Sequence, residues 1–393
     1  MDFELVKPTL PQASGRASQD SSLATRDPPI FDSTKLDSPG LQPSGGDDAS
    51  LLSSAPPKSP MSSTDPSAPA PESPTSMDAH RQRELKWMAI LPSTPPSQAR
   101  KSKKVKRLLL EGVPSSVRYL VWCHLTDSKA RALPGVYAQL GKRPRVPAFA
   151  DIGRSVKTCF PDQTQLHSPQ GPLVSLLQAY LSMVPDIQYS SGLTAIAGHL
   201  LLLSPEEDAF WIFVSMMDAH LRPYFSANTI QVEVDSALLS KAIESNDAGV
   251  GKKMFVSLGI LPSSICRPWF STLFVGSLPV EFLHRIWDLF LYEGVTFLFR
   301  VGLALTQCVR HLLLQATSEE AALEYLAHPP LACLPSTADA FISQALSMKL
   351  KDDDVRKQRV KMEAQVKRQT QVRTLSTNGV SGMQTASISL PKS

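Results

Sequence analysis

The chain has 393 residues, with 40 basic against 36 acidic side chains and a net charge of +4, so nothing in its overall charge calls for a nucleic-acid partner. Of its 33 prolines, 16 crowd before residue 100 among Ser, Asp and Ala. Segments such as Ser53–Pro60 and Pro66–Pro74 hold too little apolar surface to offset the entropy of ordering a chain.

Residues 1–80 are therefore expected as a disordered Ser/Pro-rich tail, 81–350 as the folded part, and 351–393 as a charged helix followed by a Ser/Thr-rich disordered tail from Thr370. The first helix is expected from Arg81, with Leu85, Met88 and Leu91 at three-residue spacing beside Trp87 and Pro92 as its stop. The basic run Arg100–Arg107 reads as the solvated start of the next helix, with a nuclear signal or an acidic-surface contact as the alternative. That helix reaches Leu110 and is broken by Glu111-Gly112-Val113-Pro114. Pro114 starts another, striped by Val117, Leu120, Val121 and Leu125 around Trp122.

Pro172–Val184 has a clean helical face, and Leu193–Leu203 is apolar nearly all round, as a central buried helix would be. Ser204 is placed to cap the helix that follows, with Pro205 in its first turn and Glu206, Glu207 and Asp208 complementing the dipole. Further helices are expected over Val234–Glu244, Cys266–Val275, Val280–Tyr292, Phe297–Gln315 and Ser318–Leu326, the last apolar one ending near Leu350. No stretch alternates with period two between turn signals, so the fold class is all-α. Lys351–Gln369 is almost wholly charged and reads as a solvated helix or a short coiled-coil seam.

The five cysteines, Cys123, Cys159, Cys266, Cys308 and Cys333, are odd in number and never in C-x-x-C spacing, which suits free thiols in a reducing compartment. The start Met1-Asp2-Phe3-Glu4 shows no apolar leader. There is no G-x-x-x-x-G-K-[ST], G-x-S-x-G or H-E-x-x-H string, and His199, inside the apolar run, reads as a packing residue rather than a catalytic one.

Five strings in order carry more. Gly112-Val113-Pro114 is followed by Arg118 and Trp122, and the segment Cys159-Phe160-Pro161-Asp162 comes next. Pro185–Leu193 contains Gln188, Tyr189, Ser191 and Gly192, and Glu206–Trp211 reads E-E-D-A-F-W. The last block holds Trp269-Phe270, Leu273-Phe274, Leu278-Pro279, Arg285-Ile286-Trp287-Asp288 and Glu293-Gly294. Together, over about residues 81–345, they resemble the TBC domain, the fold of the Rab GTPase-activating proteins. The resemblance implies a two-lobed helical domain and a Rab-type small GTPase as partner, with GTP and Mg²⁺ belonging to that partner and no cofactor of the chain's own. It implies a cytoplasmic protein acting in vesicle traffic, meeting membranes peripherally and only through partners. The Pro-rich and Ser/Thr-rich tails add possible docking segments.

The family is known for two fingers inserted in trans, an Arg from I-x-x-D-x-x-R and a Gln from Y-x-Q. Charge builds on phosphoryl oxygens in the transition state and a guanidinium neutralises it, while an amide orients the attacking water. Aligned on the following Phe160-Pro161, the first motif falls on Ile152, Ser155 and Thr158: the acid is Ser and the finger is Thr. In the second, Tyr189 is kept, Ser191 fills the Gln slot and Gln188 fills the preceding Gly slot. These replacements imply weak or silent catalysis. The alternative register makes Arg154, after Asp151, a shifted finger and Gln188 a substitute amide; it needs extra residues bulged between Arg154 and Phe160. Arg118 is carried as a further partner-contact candidate with Tyr189 and Gln188, and Arg285 and Asp288 as a pair on one helix.

Overall fold

Proline and glycine punctuation divides the chain into the helices of a computed structural model that describes residues 74–226 and 230–380. The longer ones are α1 Pro74–Ser93, α2 Lys103–Glu111, α3 Ser115–Thr126, α4 Phe149–Cys159, α5 Pro172–Met183, α6 Ser191–Leu201 and α7 Glu206–Met216. They continue with α8 Gln231–Asn246, α9 Pro262–Thr272, α10 Val280–Glu293, α11 Val295–Cys308, α12 Glu319–Ala327, α13 Ala338–Ser347 and α14 Asp352–Val380. Among the described residues there is no strand, only one isolated antiparallel bridge between Ile187 and Ser226. The all-α reading holds.

Several starts are fixed by hydroxyl caps that satisfy a first-turn amide: Ser102 accepts from Val105 N, Ser318 from Ala321 N and Thr337 from Ala340 N. The amino-terminal helices gather around α6, which touches α4, α5 and α7 and is buried from Gly192 to Gly198. The carboxy-terminal helices gather around α8, packed on α9, α11 and α14, with α10 and α11 covered by α13. The two groups meet where α10 lies on α2 and α3 and where α9 lies on α6. Trp87, Trp122, Trp269 and Trp287 are all within 1% of complete burial, and Trp122 and Trp287 stack with centroids 5.6 Å apart at that junction. Indole N–H groups are satisfied there: Trp287 Nε1 donates to Leu273 O at 3.1 Å and Trp122 Nε1 to Asp288 Oδ1 at 2.8 Å.

Four sequence expectations change. Leu85 and Met88, read as the buried face of α1, are half exposed, while Trp87 and Ile90 carry the contact. Ser204 does not cap α7; its hydroxyl donates back to Leu200 O at 2.7 Å, and Pro205 stands at the cap position without a side-chain bond. The single helix expected over Phe297–Gln315 breaks at Val309 (φ −96°, ψ 14°) into α11 and the short helix Arg310–Gln315, which buries Val309 and Leu313 fully.

The fourth change concerns Lys351–Gln369, which is not a solvated helix over its first turns. Val355 is buried, Arg359 pairs with the buried Asp235, and Asp352 pairs with Arg300. The stretch carries Val355, the partly buried Met362 and a buried ion pair in place of a continuous apolar stripe, so hydrophobic periodicity barely registers it. Once docked, the helix continues past Thr370 to Val380, since propagation costs far less than nucleation. At the other end, 74–80 form the first turns of α1, and the rest of the expected amino-terminal tail, with residues 381–393, lies outside the described residues. All five cysteines are free thiols, and no described helix is long and apolar enough to cross a membrane.

Candidate functional site

Helix α4 buries Ile152 and Val156 one turn apart and turns Asp151, Arg154 and Thr158 outward. It runs unbroken from Phe149 to Cys159, without a bulge. Arg154 is 76% exposed and pairs with Asp151 on the same helix. Thr158 is exposed, and its hydroxyl donates to Arg154 O at 3.2 Å. Arg154 and Thr158 thus share one face, one turn or about 6 Å apart.

Two glycines of α6 decide how closely this face meets the second candidate segment. A Cβ on Gly198 would stand 2.2 Å from Phe160 Cε2, so only Gly lets the Phe160 ring seat on α6. A Cβ on Gly192 would stand 2.5 Å from Ser271 O, so only Gly lets the amino end of α6 lie against α9. With Phe160 seated, Cys159 Sγ comes 3.9 Å from Ser191 O, and the end of α4 meets the start of α6. Thr158 and Ser191, far apart in sequence, therefore stand on one exposed rim. Tyr189 is half-buried behind it, its hydroxyl 2.7 Å from Thr194 Oγ1 and within bonding reach of Ser155. Burial raises the Tyr189 phenol above its ordinary value, which keeps it a neutral hydrogen-bonding group.

Gln188 is exposed, and its backbone N–H donates to Phe225 O at 2.8 Å beside the Ile187–Ser226 bridge. Arg222 holds Asp186 with both carboxylate oxygens, at 2.9 and 3.0 Å, which fastens the single helical turn Arg222–Phe225 against the segment leading into α6. A cleft of about 570 Å³ opens beside Ser191, with Gln188, Tyr224, Arg267 and Ser271 among its lining residues. The rim offers hydroxyls, one amide and the exposed guanidiniums of Arg154 and Arg267.

Arg118 is a correction. It is 8% exposed, its Nη2 donates to Val113 O at 2.5 Å and its Nε lies 3.3 Å from Asp288 Oδ1, so it is unavailable to a partner. Asp288, completely buried, also takes Arg285 Nη1 at 3.6 Å, which makes the expected pair part of a larger network. Arg285 in turn donates to Leu109 O and Leu110 O, satisfying carbonyls at the end of α2. Burial pushes the Asp288 carboxyl up, against the pull of Arg118 and Arg285. His199 packs edge-on against Phe160 and Trp287 at 5.4 and 6.0 Å, and burial drops its pKa to about 4. It is a neutral core ring, as the sequence indicates.

The Rab-GTPase-TBC domain model matches residues 115–314, and the chain belongs to that family. Mouse Carabin is 32% identical over 287 residues, covering 70% of this chain and 64% of Carabin. Human Growth hormone-regulated TBC protein 1 is 32% identical over 246 residues, 60% of this chain and 72% of that protein. Human TBC1 domain family member 10B is 31% identical over 249 residues, 62% of this chain but only 30% of the relative's length. The fold matches the Chlamydomonas flagellar RabGAP TBC domain with TM-score 0.55 at 23% identity, over 71% of this chain and 97% of that one. It matches the Ypt/Rab-GAP domain of Gyp1p with TM-score 0.53 at 14% identity, over 68% and 97%.

Proposed function

We propose that the chain binds a Rab-type small GTPase in its GTP state through the rim formed by Thr158, Ser191, Gln188 and Tyr189, and raises its GTP hydrolysis little or not at all. The observation that carries this reading is the pairing of Thr158 and Ser191 on one exposed rim, at the slots where the family resemblance implies Arg and Gln. A threonine hydroxyl ends one bond beyond Cβ and lacks both the reach and the charge of a guanidinium, and a serine cannot orient a water as an amide does. A finger is worth roughly 10³–10⁵ in rate, so replacement of both removes most of the expected activation. GTP and Mg²⁺ would enter with the partner. The role implied is regulatory: a module in vesicle traffic that occupies or recruits a GTPase from the cytoplasmic side of endomembranes.

A second reading rests on a specific observation. Arg154 is exposed on the same face as Thr158, and Gln188 lines the cleft beside Ser191. A long side chain one turn back could reach the phosphates without a bulge, which would make Arg154 the working finger. Single-turnover hydrolysis on a Rab panel with wild type and Arg154→Ala separates the two. Unchanged low rates in both support the silent module; strong activation lost in Arg154→Ala supports the shifted finger.

A further inference from the structure

The carboxy-terminal helix α14 is connected to the cleft wall through a buried carboxylate. Arg359 donates to Asp235 through Nε at 2.8 Å and Nη2 at 2.9 Å. Asp235, on α8, is completely buried, and its Oδ2 also accepts the hydroxyl of Tyr224. Tyr224 is 6% exposed, stands edge-on to Phe270 at 6.1 Å and lines the cleft beside Ser191. Its neighbours Phe225 and Ser226 hold the backbone of Gln188 and Ile187. One face of the Arg222–Phe225 turn is therefore fixed to the candidate rim and the other to Asp235.

The charge arithmetic makes Arg359 the controlling member. A buried carboxylate without a countercharge is costly, and the phenol of Tyr224 is neutral. With Arg359 removed, Asp235 gains solvation only if water reaches it, and the routes are displacement of α14 or of Tyr224. The rest of the α14 attachment is modest. Among the described residues it rests on Val355, buried at 5% exposure, on Met362, partly buried against the core, and on the Asp352–Arg300 pair in the first turn. A helix held by two apolar side chains, only one of them fully buried, and by ion pairs belongs to the low-stability end of a fold.

We propose that α14 is a strap on the cleft: docked through Arg359 on Asp235, it positions Tyr224 and, through the 222–226 segment, the Gln188–Ser191 rim, and lifting it loosens the rim and weakens GTPase binding. Arg359 is in this account a positioning residue that touches no partner. The link to binding rests on the function proposed above; the link between α14 and the rim does not.

The test is backbone hydrogen exchange on the full chain, wild type against Arg359→Ala and Arg359→Lys, each measured equally far below its own melting temperature. It is paired with binding to purified Rab-type GTPases loaded with a non-hydrolysable GTP analogue. Arg359→Ala is expected to speed exchange about tenfold or more in 184–191 and 222–226, including the Gln188 amide, while α3 and α10 exchange as in wild type. Arg359→Lys, which keeps the charge and loses the paired geometry, falls between. Affinity for a GTPase that wild type binds drops by about tenfold in Arg359→Ala. Loss of protection in α14 alone, with 184–191 and 222–226 unchanged, overturns the strap, and so does a uniform rise over the whole domain. A loosened rim with undiminished GTPase affinity overturns its role in binding. A loosened rim in a protein whose wild type binds no GTPase leaves the strap standing and removes the GTPase reading instead.

Discussion

Asp288 shows most directly how single residues hold this fold. Its carboxylate, fully buried, is met by Arg118, Arg285 and the Trp122 N–H, and Arg285 goes on to the end of α2. Removing the carboxylate leaves the buried Arg118 guanidinium without its countercharge, while Arg285 keeps only Asp339, 2.7 Å from its Nε. Asp288→Ala is expected to cost about 3–5 kcal/mol, measured by denaturant unfolding, whereas a loss under 1 kcal/mol would show that water already reaches the site. Gly198→Ala makes a different point, since its Cβ would collide with the rigid Phe160 ring. A cost of about 1–3 kcal/mol is expected, together with weaker GTPase binding, because the end of α4 must move away from Ser191. Melting and affinity both equal to wild type would contradict that placement.

Among the elements, α10 is the one on which the two helix groups join. Trp287 sits within it, 1% exposed, flanked by Leu283, Phe290 and Leu291 and stacked on Trp122. Trp287→Ala is expected to cost about 3–5 kcal/mol and lower the melting temperature accordingly. An unchanged melting temperature would deny its burial. This element was legible from the sequence almost residue for residue, because its apolar face repeats at helical spacing. The same signal failed elsewhere for physical reasons. Period counting chose Leu85 and Met88 for α1, where tertiary packing selects Trp87 and Ile90. Leu273 and Phe274 take left-handed backbone (φ 52° and 65°) with no glycine to announce it, and burial of both side chains offsets the strain. The docking of α14 depends on Arg359 finding a carboxylate 124 positions away, which no local pattern encodes. At the rim, the family strings name Thr158 and Ser191, which the fold leaves exposed near each other, but no string shows that Arg118 is buried.

The whole molecule should respond to acid through three rings. His199, His220 and His284 each have a pKa lowered to about 4, mainly by burial, against 6.5 in an unfolded chain. Between those values the unfolded state binds more protons, so stability is full above about pH 6.5 and falls as pH drops toward 4. Each ring contributes a slope of up to about 1.4 kcal/mol per pH unit. Urea unfolding at pH 7.5 and pH 5 is expected to show a clear loss at the lower value; equal stability would place these rings in solvent. The function proposed for the molecule stands on the rim, and one measurement addresses it most directly. Single-turnover GTP hydrolysis by a Rab that wild type binds should stay near the intrinsic rate with saturating wild type and with Arg154→Ala. It should rise measurably with the triple variant Ser155→Asp, Thr158→Arg, Ser191→Gln. Acceleration by orders of magnitude with wild type, abolished by Arg154→Ala, would contradict the account and make Arg154 the finger.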